Sequence, residues 1–259
     1  MDTFLRADKN YTLNDLLITL EKLGIKKGDV LCIHTELFNF GFPLLSKKEY
    51  LNTYIKAFLE ILGETETLIM PTFTYSFCKN ENYDKLNSKC KVGILNEFFR
   101  FYEGATRNND PIFSFAIKGK EQKEFLKDHS SCFGENSVYD TLYKMNGKII
   151  LLGSEINGYT FTHFIEEKAK VPYRYFKNFS GKIIDELGNI SQKNIKYYVR
   201  NLNTNSNLDV YKQIKILKNS NNFKKEKFGN SCIINIDSKS YLTNTLKKLL
   251  DDPYYLLEN

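Results

Sequence analysis

The feature that most constrains this chain is a recurring pair, a short continuous apolar run followed by a helical apolar stripe. Gly28 and Asp29 turn into Val30-Leu31-Cys32-Ile33, and a second run, Thr67-Leu68-Ile69-Met70, is halted by Pro71. Between them Ser46 and Glu49 open a stripe of Tyr50, Leu51, Tyr54, Ile55, Phe58, Leu59 and Leu62 that Gly63 ends. A hydroxyl and a carboxylate three residues apart satisfy orphan backbone donors at a helix start. Thr12 and Asp15 repeat the device ahead of Leu13, Leu16, Leu17 and Leu20, a helix that Gly24 stops. Short apolar runs bounded by turn residues predict buried strands.

The rhythm recurs further along. Ile112 to Ile117 reads as a strand, Ser137 to Asp140 caps a short helix, and Lys148 to Leu152 is a strand that stops at Gly153. Strands alternating with helices predict an α/β fold with a mixed, largely parallel central sheet flanked by helices. Beyond about residue 180 the segments become shorter, polar and rich in Asn and Lys. They predict a C-terminal antiparallel α+β extension over roughly residues 181–230. A strand from Cys232 to Ile236 and a helix from Tyr241 to Leu250 close it, and residues 1–259 read as a single domain.

Composition narrows the function. Hydrophobic residues make up 42 % of the chain, and 17 Tyr and 20 Phe supply a sizeable core, which excludes disordered and fibrous classes. Five scattered cysteines without a C-x-x-C pair argue against a disulfide framework or a zinc knuckle, and the expectation is a reducing cytoplasm with no metal. No apolar run is long enough to span a bilayer, and the first ten residues have no leader-like apolar region, so no membrane association is expected. A net charge of +6 suits a small anionic ligand better than nucleic acid.

In open α/β sheets, ligands gather beyond the carboxyl ends of the strands. Three strands here end in polar, hydroxyl-bearing segments: His34-Thr35-Glu36, Pro71-Thr72-Phe73-Thr74 and Ser154 to Thr162. P-loop, dinucleotide, nucleophile-elbow and zincin motifs are all missing from the sequence. Of the three histidines, His129 reads as a solvated loop residue and His34 as a hydrogen-bonding residue at a strand end. His163 opens a helical stretch with Glu166 and Glu167 at i+3 and i+4, where either carboxylate reaches the imidazole. The helix dipole disfavours the imidazolium, and a carboxylate fixes the tautomer and stabilises the ring once a proton arrives. The residues alone leave two readings open, a general base or a capped helix with surface charges.

Six blocks in this order resemble the aminoglycoside 3-N-acetyltransferase family: Gly28 to Leu37, Thr67 to Thr74, Thr106 to Ala116, Cys132 to Ser137, Lys148 to Gly153 and Thr160 to Glu166. The resemblance spans roughly residues 12–180 and points to the sugar N-acyltransferase branch. It implies acyl transfer from acyl-coenzyme A, in the first instance acetyl-CoA, to a sugar amine. On it, His163 matches the catalytic histidine and Glu166 the carboxylate of the same helix. His34, Thr35, Glu36 and Leu37 match the segment that holds the pantetheine, as do Thr72 and Thr74. Arg107 and Ser114 match an Arg-Ser-x-His-Pro-x-x-Ser pattern, and Phe133, Gly134 and Ser137 match Phe-Gly-x-x-Ser. Asp110 stands where the first pattern has His, so no role carries over to it.

The chemistry agrees with these residues. A free amine attacks a thioester, a base removes a proton, and the oxyanion needs fixed donors, for which the Thr35 backbone or a threonine hydroxyl are candidates. Cys32 lies within a strand and the other cysteines outside the histidine block, which favours direct transfer over a covalent cysteine route. The basic, aromatic stretch after the helix offers Tyr173, Arg174, Tyr175 and Lys177 to stack on a base and pair with a diphosphate, or is an ordinary solvated loop and strand. With Tyr75, Tyr173, Arg174 and Lys177 make up the expected acceptor side. A basic chain repels a polycation, so the expected acceptor is a nucleotide-linked amino sugar, with an aminoglycoside as the alternative.

Overall fold

The computed structural model describes residues 3–63 and 67–258; Met1 and Asp2, where the N-terminal reading begins, lie outside the described residues. Strands β1 (Thr3–Arg6) and β2 (Asn10–Thr12) lead into helix α1 (Leu13–Lys22), whose N-terminus is closed by the Thr12–Asp15 capping box. Strand β3 (Val30–Thr35) follows, then a short 3-10 turn at Leu37–Phe40 and the two-residue strand β4 (Phe42–Pro43). Helix α2 (Lys47–Leu62) begins with a second capping box, Ser46–Glu49, and returns the chain to β5 (Thr67–Pro71).

A long excursion comes next, through β6 (Tyr83–Asp84), α3 (Ile94–Phe99) and β7 (Thr106–Arg107) to β8 (Phe115–Gly119). Helices α4 (Gln122–Phe125) and α5 (Val138–Lys144) precede β9 (Lys148–Leu152), and α6 (Phe161–Ala169) follows it. Strands β10 (Arg174–Ile184) and β11 (Ile190–Arg200) form a long hairpin. Helix α7 (Val210–Asn219), β12 (Lys224–Phe228), β13 (Ser231–Asp237) and α8 (Ser238–Asp251) complete the chain.

Seven strands form the central sheet in the order β12-β13-β9-β3-β5-β8-β7. It is mixed, and the expectation of a largely parallel sheet is wrong. Among the described residues, β3 runs parallel to β5 and to β9, and the other four pairs are antiparallel. Strand–helix alternation carries no direction by itself. A crossover of a dozen or more residues permits parallel neighbours but does not ensure them: helices lie between β5 and β8 and between β9 and β13, and both pairs are antiparallel. The expected strand from Ile112 also begins later, at Phe115. Asp110 Oδ1 accepts the backbone N–H groups of Ile112 and Phe113 at 2.8 Å each, which ties those residues into a turn.

Alternation along the strands serves two cores. Cys32, Ile69, Ile149, Leu151 and Ile234 face one side, under α5, α6 and α8; Leu31, Ile33, Leu68, Ile150 and Ile233 face the other, under α1 and α2. The hairpin lies outside this sheet and pairs with β6. The carboxyl ends of β3, β5 and β9 therefore open on one edge, and the loop after β9 carries the chain from that edge into α6.

Candidate active site

Helix α6 follows its N-cap residue Thr160 and ends where Lys170 turns into the left-handed region at φ 52°. Three residues apart on one face, His163 and Glu166 meet: His163 Nδ1 lies 2.7 Å from Glu166 Oε2. Glu166 has no exposed surface, whereas the His163 side chain keeps 24 % of its own. The other carboxylate oxygen, Oε1, accepts from the Tyr173 hydroxyl at 2.9 Å and pairs with Arg174 Nε at 2.9 Å. Arg174 Nη1 also donates to Tyr198 O, and its Nη2 comes within 3.1 Å of His163 Nδ1. The Phe133 ring packs edge-on against the imidazole at 5.7 Å.

These neighbours set the charge states. Burial, and then the Arg174 guanidinium, push the His163 imidazolium pKa below its ordinary value against the opposing pull of Glu166. Burial alone would raise the Glu166 carboxyl, but His163 and Arg174 outweigh it and hold the group below the usual carboxylate range. At neutral pH the site is a neutral imidazole backed by a carboxylate. Among the described residues, His163 Nε2 has no hydrogen bond, which leaves that nitrogen free to take a proton.

Three cavities lie in this region, and two of them reach His163. One, of about 430 Å³, lies at the strand ends and is lined by His34, Thr35, Glu36, Tyr75, Gly93 and Gly158 among others. A second, of about 270 Å³, shares Asn157, Gly158 and Thr160 with the first and reaches His163 and Asp209. The third, of about 540 Å³, lies between His163 and the hairpin and is lined by Arg174, Tyr197 and Arg200. His163 therefore borders two cavities, and the 157–160 segment borders the strand-end cleft.

The structure brings His34, Thr35, Glu36 and Tyr75 to the strand-end cleft. Leu37 is buried just behind it. Burial holds the His34 pKa down at about 4, and its Nε2 lies 3.1 Å from the Tyr139 hydroxyl. The Thr35 hydroxyl donates to Asn96 Oδ1 at 2.6 Å, so its hydrogen is already committed. Thr72, Arg107 and Ser114 form a buried network in the wall instead: Arg107 donates to Thr72 O at 2.8 Å and to Ser114 Oγ at 2.9 Å. Thr74 donates to Pro111 O, and Ser137 caps α5 through Asp140 N.

Two expectations about surface residues change. His129 is not a solvated loop residue: its side chain is 1 % exposed, and Nε2 meets Asp110 Oδ2 at 3.2 Å. The stretch after α6 is not a solvated loop either. Tyr173 and Arg174 are buried at 1 % and 6 % and turned onto Glu166, whereas Lys177 is exposed on β10 and lines none of these three cavities. Sequence reasoning missed Asn96, Gly93 and Tyr139. Gly93, at φ 127° immediately before α3, is the one whose residue type carried a signal.

Comparison with known proteins supports a common descent. A family model described as aminoglycoside 3-N-acetyltransferase matches residues 32–249. The SPbeta prophage-derived aminoglycoside N(3')-acetyltransferase-like protein YokD of Bacillus subtilis (strain 168) is 26 % identical over 193 residues, 64 % of this chain and 68 % of that protein. The fold matches AAC-IIIb, solved as a binary complex with CoASH, at TM-score 0.79 and 20 % identity over 93 % of this chain and 97 % of that one. It also matches sisomicin-bound AAC-VIa at TM-score 0.80 and 19 % identity, over 93 % and 98 % of the two chains. Among the described residues no helix is long and apolar enough to cross a membrane. The chain is an acetyltransferase and belongs to the aminoglycoside 3-N-acetyltransferase family.

Proposed function

We propose that this acetyltransferase moves an acetyl group from acetyl-CoA to the amine of an aminoglycoside-type amino sugar, with His163 as general base and Glu166 as the carboxylate that orients it. The observation that carries this reading is the His163–Glu166 contact of 2.7 Å, with Nδ1 turned to a buried carboxylate and Nε2 left unbonded beside two cavities. The relatives' names support the acceptor class, since they include aminoglycoside N(3)-acetyltransferases and one solved with sisomicin.

The strand-end cleft fits the donor. Gly158, at φ 99°, presents bare backbone there, and a Cβ on it would come within 2.8 Å of His34 Cβ and Leu151 Cδ2. Walls of backbone and short polar groups suit an extended amide-bearing arm, and His34, Thr35 and Glu36 would hold it. Acetyl-CoA supplies the activated thioester. His163 Nε2 takes the proton that the amine loses as the N–C bond forms, and Nδ1–H stays bonded to Glu166. The same proton then passes to the departing thiolate as the C–S bond breaks. A covalent thiol route has no support from Cys32, whose thiol burial keeps protonated and whose surface is fully covered.

One observation favours a second acceptor, a nucleotide-linked amino sugar. Asp209 is the sole acid among the residues lining the two cavities beside His163, and Arg174 and Arg200 line one of them. A polycationic acceptor gains most from an acidic wall. A free-thiol assay with acetyl-CoA separates the readings. Turnover with aminoglycosides alone supports the first acceptor, turnover with nucleotide-linked amino sugars alone supports the second, and silence with every amine overturns both.

A further inference from the structure

Tyr173 and Arg174 are consecutive residues at the root of the β10–β11 hairpin, and both reach the Glu166 oxygen that His163 does not use. We propose that Arg174, assisted by Tyr173, is a positioning residue for the reaction: it fixes which Glu166 oxygen meets the imidazole and which ring nitrogen carries the hydrogen. The inference rests on the reading of His163 as the base.

The geometry divides the carboxylate between two sets of partners. Oε2 is left to His163 Nδ1 at 2.7 Å, while Oε1 holds the Tyr173 hydroxyl and Arg174 Nε, each at 2.9 Å. With both oxygens engaged, the carboxylate cannot rotate without breaking a charge-assisted contact. Arg174 is in turn held from β11, through Nη1 to Tyr198 O at 3.2 Å. The hairpin thus acts as a brace for a residue pair on α6.

Arg174 Nη2 also lies 3.1 Å from His163 Nδ1. Two hydrogens cannot both occupy the space at Nδ1. The shorter contact, to a carboxylate that only accepts, assigns the hydrogen to the ring, so Nδ1–H donates to Oε2 and Nε2 is the bare nitrogen. The guanidinium contributes a like charge beside any imidazolium that forms. It therefore opposes early protonation of the base, in the same sense as burial and against the pull of Glu166. The other titratable or charged groups facing the ring are Tyr197 and Arg200 from β11, and Tyr159 and Asp209 across the smaller cavity. The Phe133 ring covers the remaining side.

Burial argues against the simpler idea that these two residues only touch the acceptor. The Arg174 side chain keeps 3 % of its surface, and Tyr173 keeps 1 %. What remains of Arg174 faces the hairpin cavity, so a KM effect must be separated from a kcat effect.

The experiment is a pH profile of kcat/KM for acetyl-CoA at saturating amine for wild type, Arg174→Gln, Arg174→Lys and Tyr173→Phe, with His163→Ala as reference. Removing the charge in Arg174→Gln leaves Glu166 to favour the imidazolium, so the acidic limb moves up by about one pH unit. On the plateau, kcat falls about tenfold or more, because the base is no longer held in place. Arg174→Lys returns the limb to the wild-type position but recovers kcat only in part, because an ammonium cannot both pair with Oε1 and reach Tyr198 O as the planar guanidinium does. Tyr173→Phe keeps the limb in place and lowers kcat severalfold. An unmoved limb in Arg174→Gln, or a raised KM for the amine with kcat unchanged, overturns the inference. If Arg174→Gln does not fold, Arg174→Lys decides: unchanged kcat with raised KM overturns the proposal. Full activity in His163→Ala refutes the base assignment itself, whereas an inactive His163→Ala beside an unmoved limb refutes the role of Arg174 alone.

Discussion

His163 Nδ1 and Glu166 Oε2 lie 2.7 Å apart, one turn along α6, and the carboxylate is fully covered while the ring keeps a quarter of its surface. That asymmetry lets Glu166 act on the reaction only through His163. Replacing Glu166 with Gln removes the charge that stabilises the imidazolium, so kcat is expected to fall by about 10²- to 10⁴-fold, with KM values changed only a few-fold. Steady-state kinetics on the folded variant check this, and a loss smaller than about tenfold contradicts the assigned role.

The charge state of His163 fixes the direction of the pH dependence. Burial and Arg174 lower its pKa below 6.5, and in the proposed base role the neutral ring is the active form. Activity is therefore retained at neutral pH and lost as pH falls through the lowered value. With the amine saturating, the acidic limb of kcat/KM for acetyl-CoA is expected below pH 6.5, and a limb at or above that value means another group controls the reaction.

A second pair matters for stability rather than chemistry. Asp110 and His129 are both buried, and Asp110 also accepts two backbone N–H groups. Burial would raise the Asp110 carboxyl, but His129 and those N–H groups outweigh it and hold its pKa below 3.8. The stability this contributes is complete above the unfolded carboxyl value and is lost as pH falls through the folded one. Asp110→Asn is expected to lower the unfolding free energy at pH 7 by about 3 kcal/mol in urea titration. A change under about 1 kcal/mol shows the pair to be dispensable.

Gly158 gives a prediction about the cleft. At φ 99°, with His34 Cβ and Leu151 Cδ2 both 2.8 Å from any added Cβ, alanine is strained and pushes on the cleft wall. Gly158→Ala is expected to lose about 1–3 kcal/mol of stability and to raise KM for acetyl-CoA several-fold. A variant with wild-type melting and KM removes Gly158 from the wall of the donor site.

Local chemistry made some of this legible in the sequence. The Thr12–Asp15 and Ser46–Glu49 spacings announced two helix starts, and the i, i+3 spacing of His163 and Glu166 placed both on one face. Strand direction was not legible, because β8 and β13 reach the sheet by routes that leave no periodic mark. Contacts far apart in sequence were equally hidden: Thr35 with Asn96 across 61 residues, and His34 with Tyr139 across 105. His129 looked solvated because its neighbours are polar, and only Asp110 folded against it reveals the burial. The charge of Arg174 was legible, but its contacts with Glu166 and His163 were not, because sequence does not show the direction a side chain faces.

His163 is the proposed base for acetyl transfer to an amine. The most direct test of that role is thiol release from acetyl-CoA, with and without an amino-sugar acceptor, for wild type and for His163→Ala shown to be folded by its thermal melt. The account predicts amine-dependent release by the wild type and a loss of about 10²- to 10⁴-fold in the variant. A folded His163→Ala that releases thiol at the wild-type rate contradicts it.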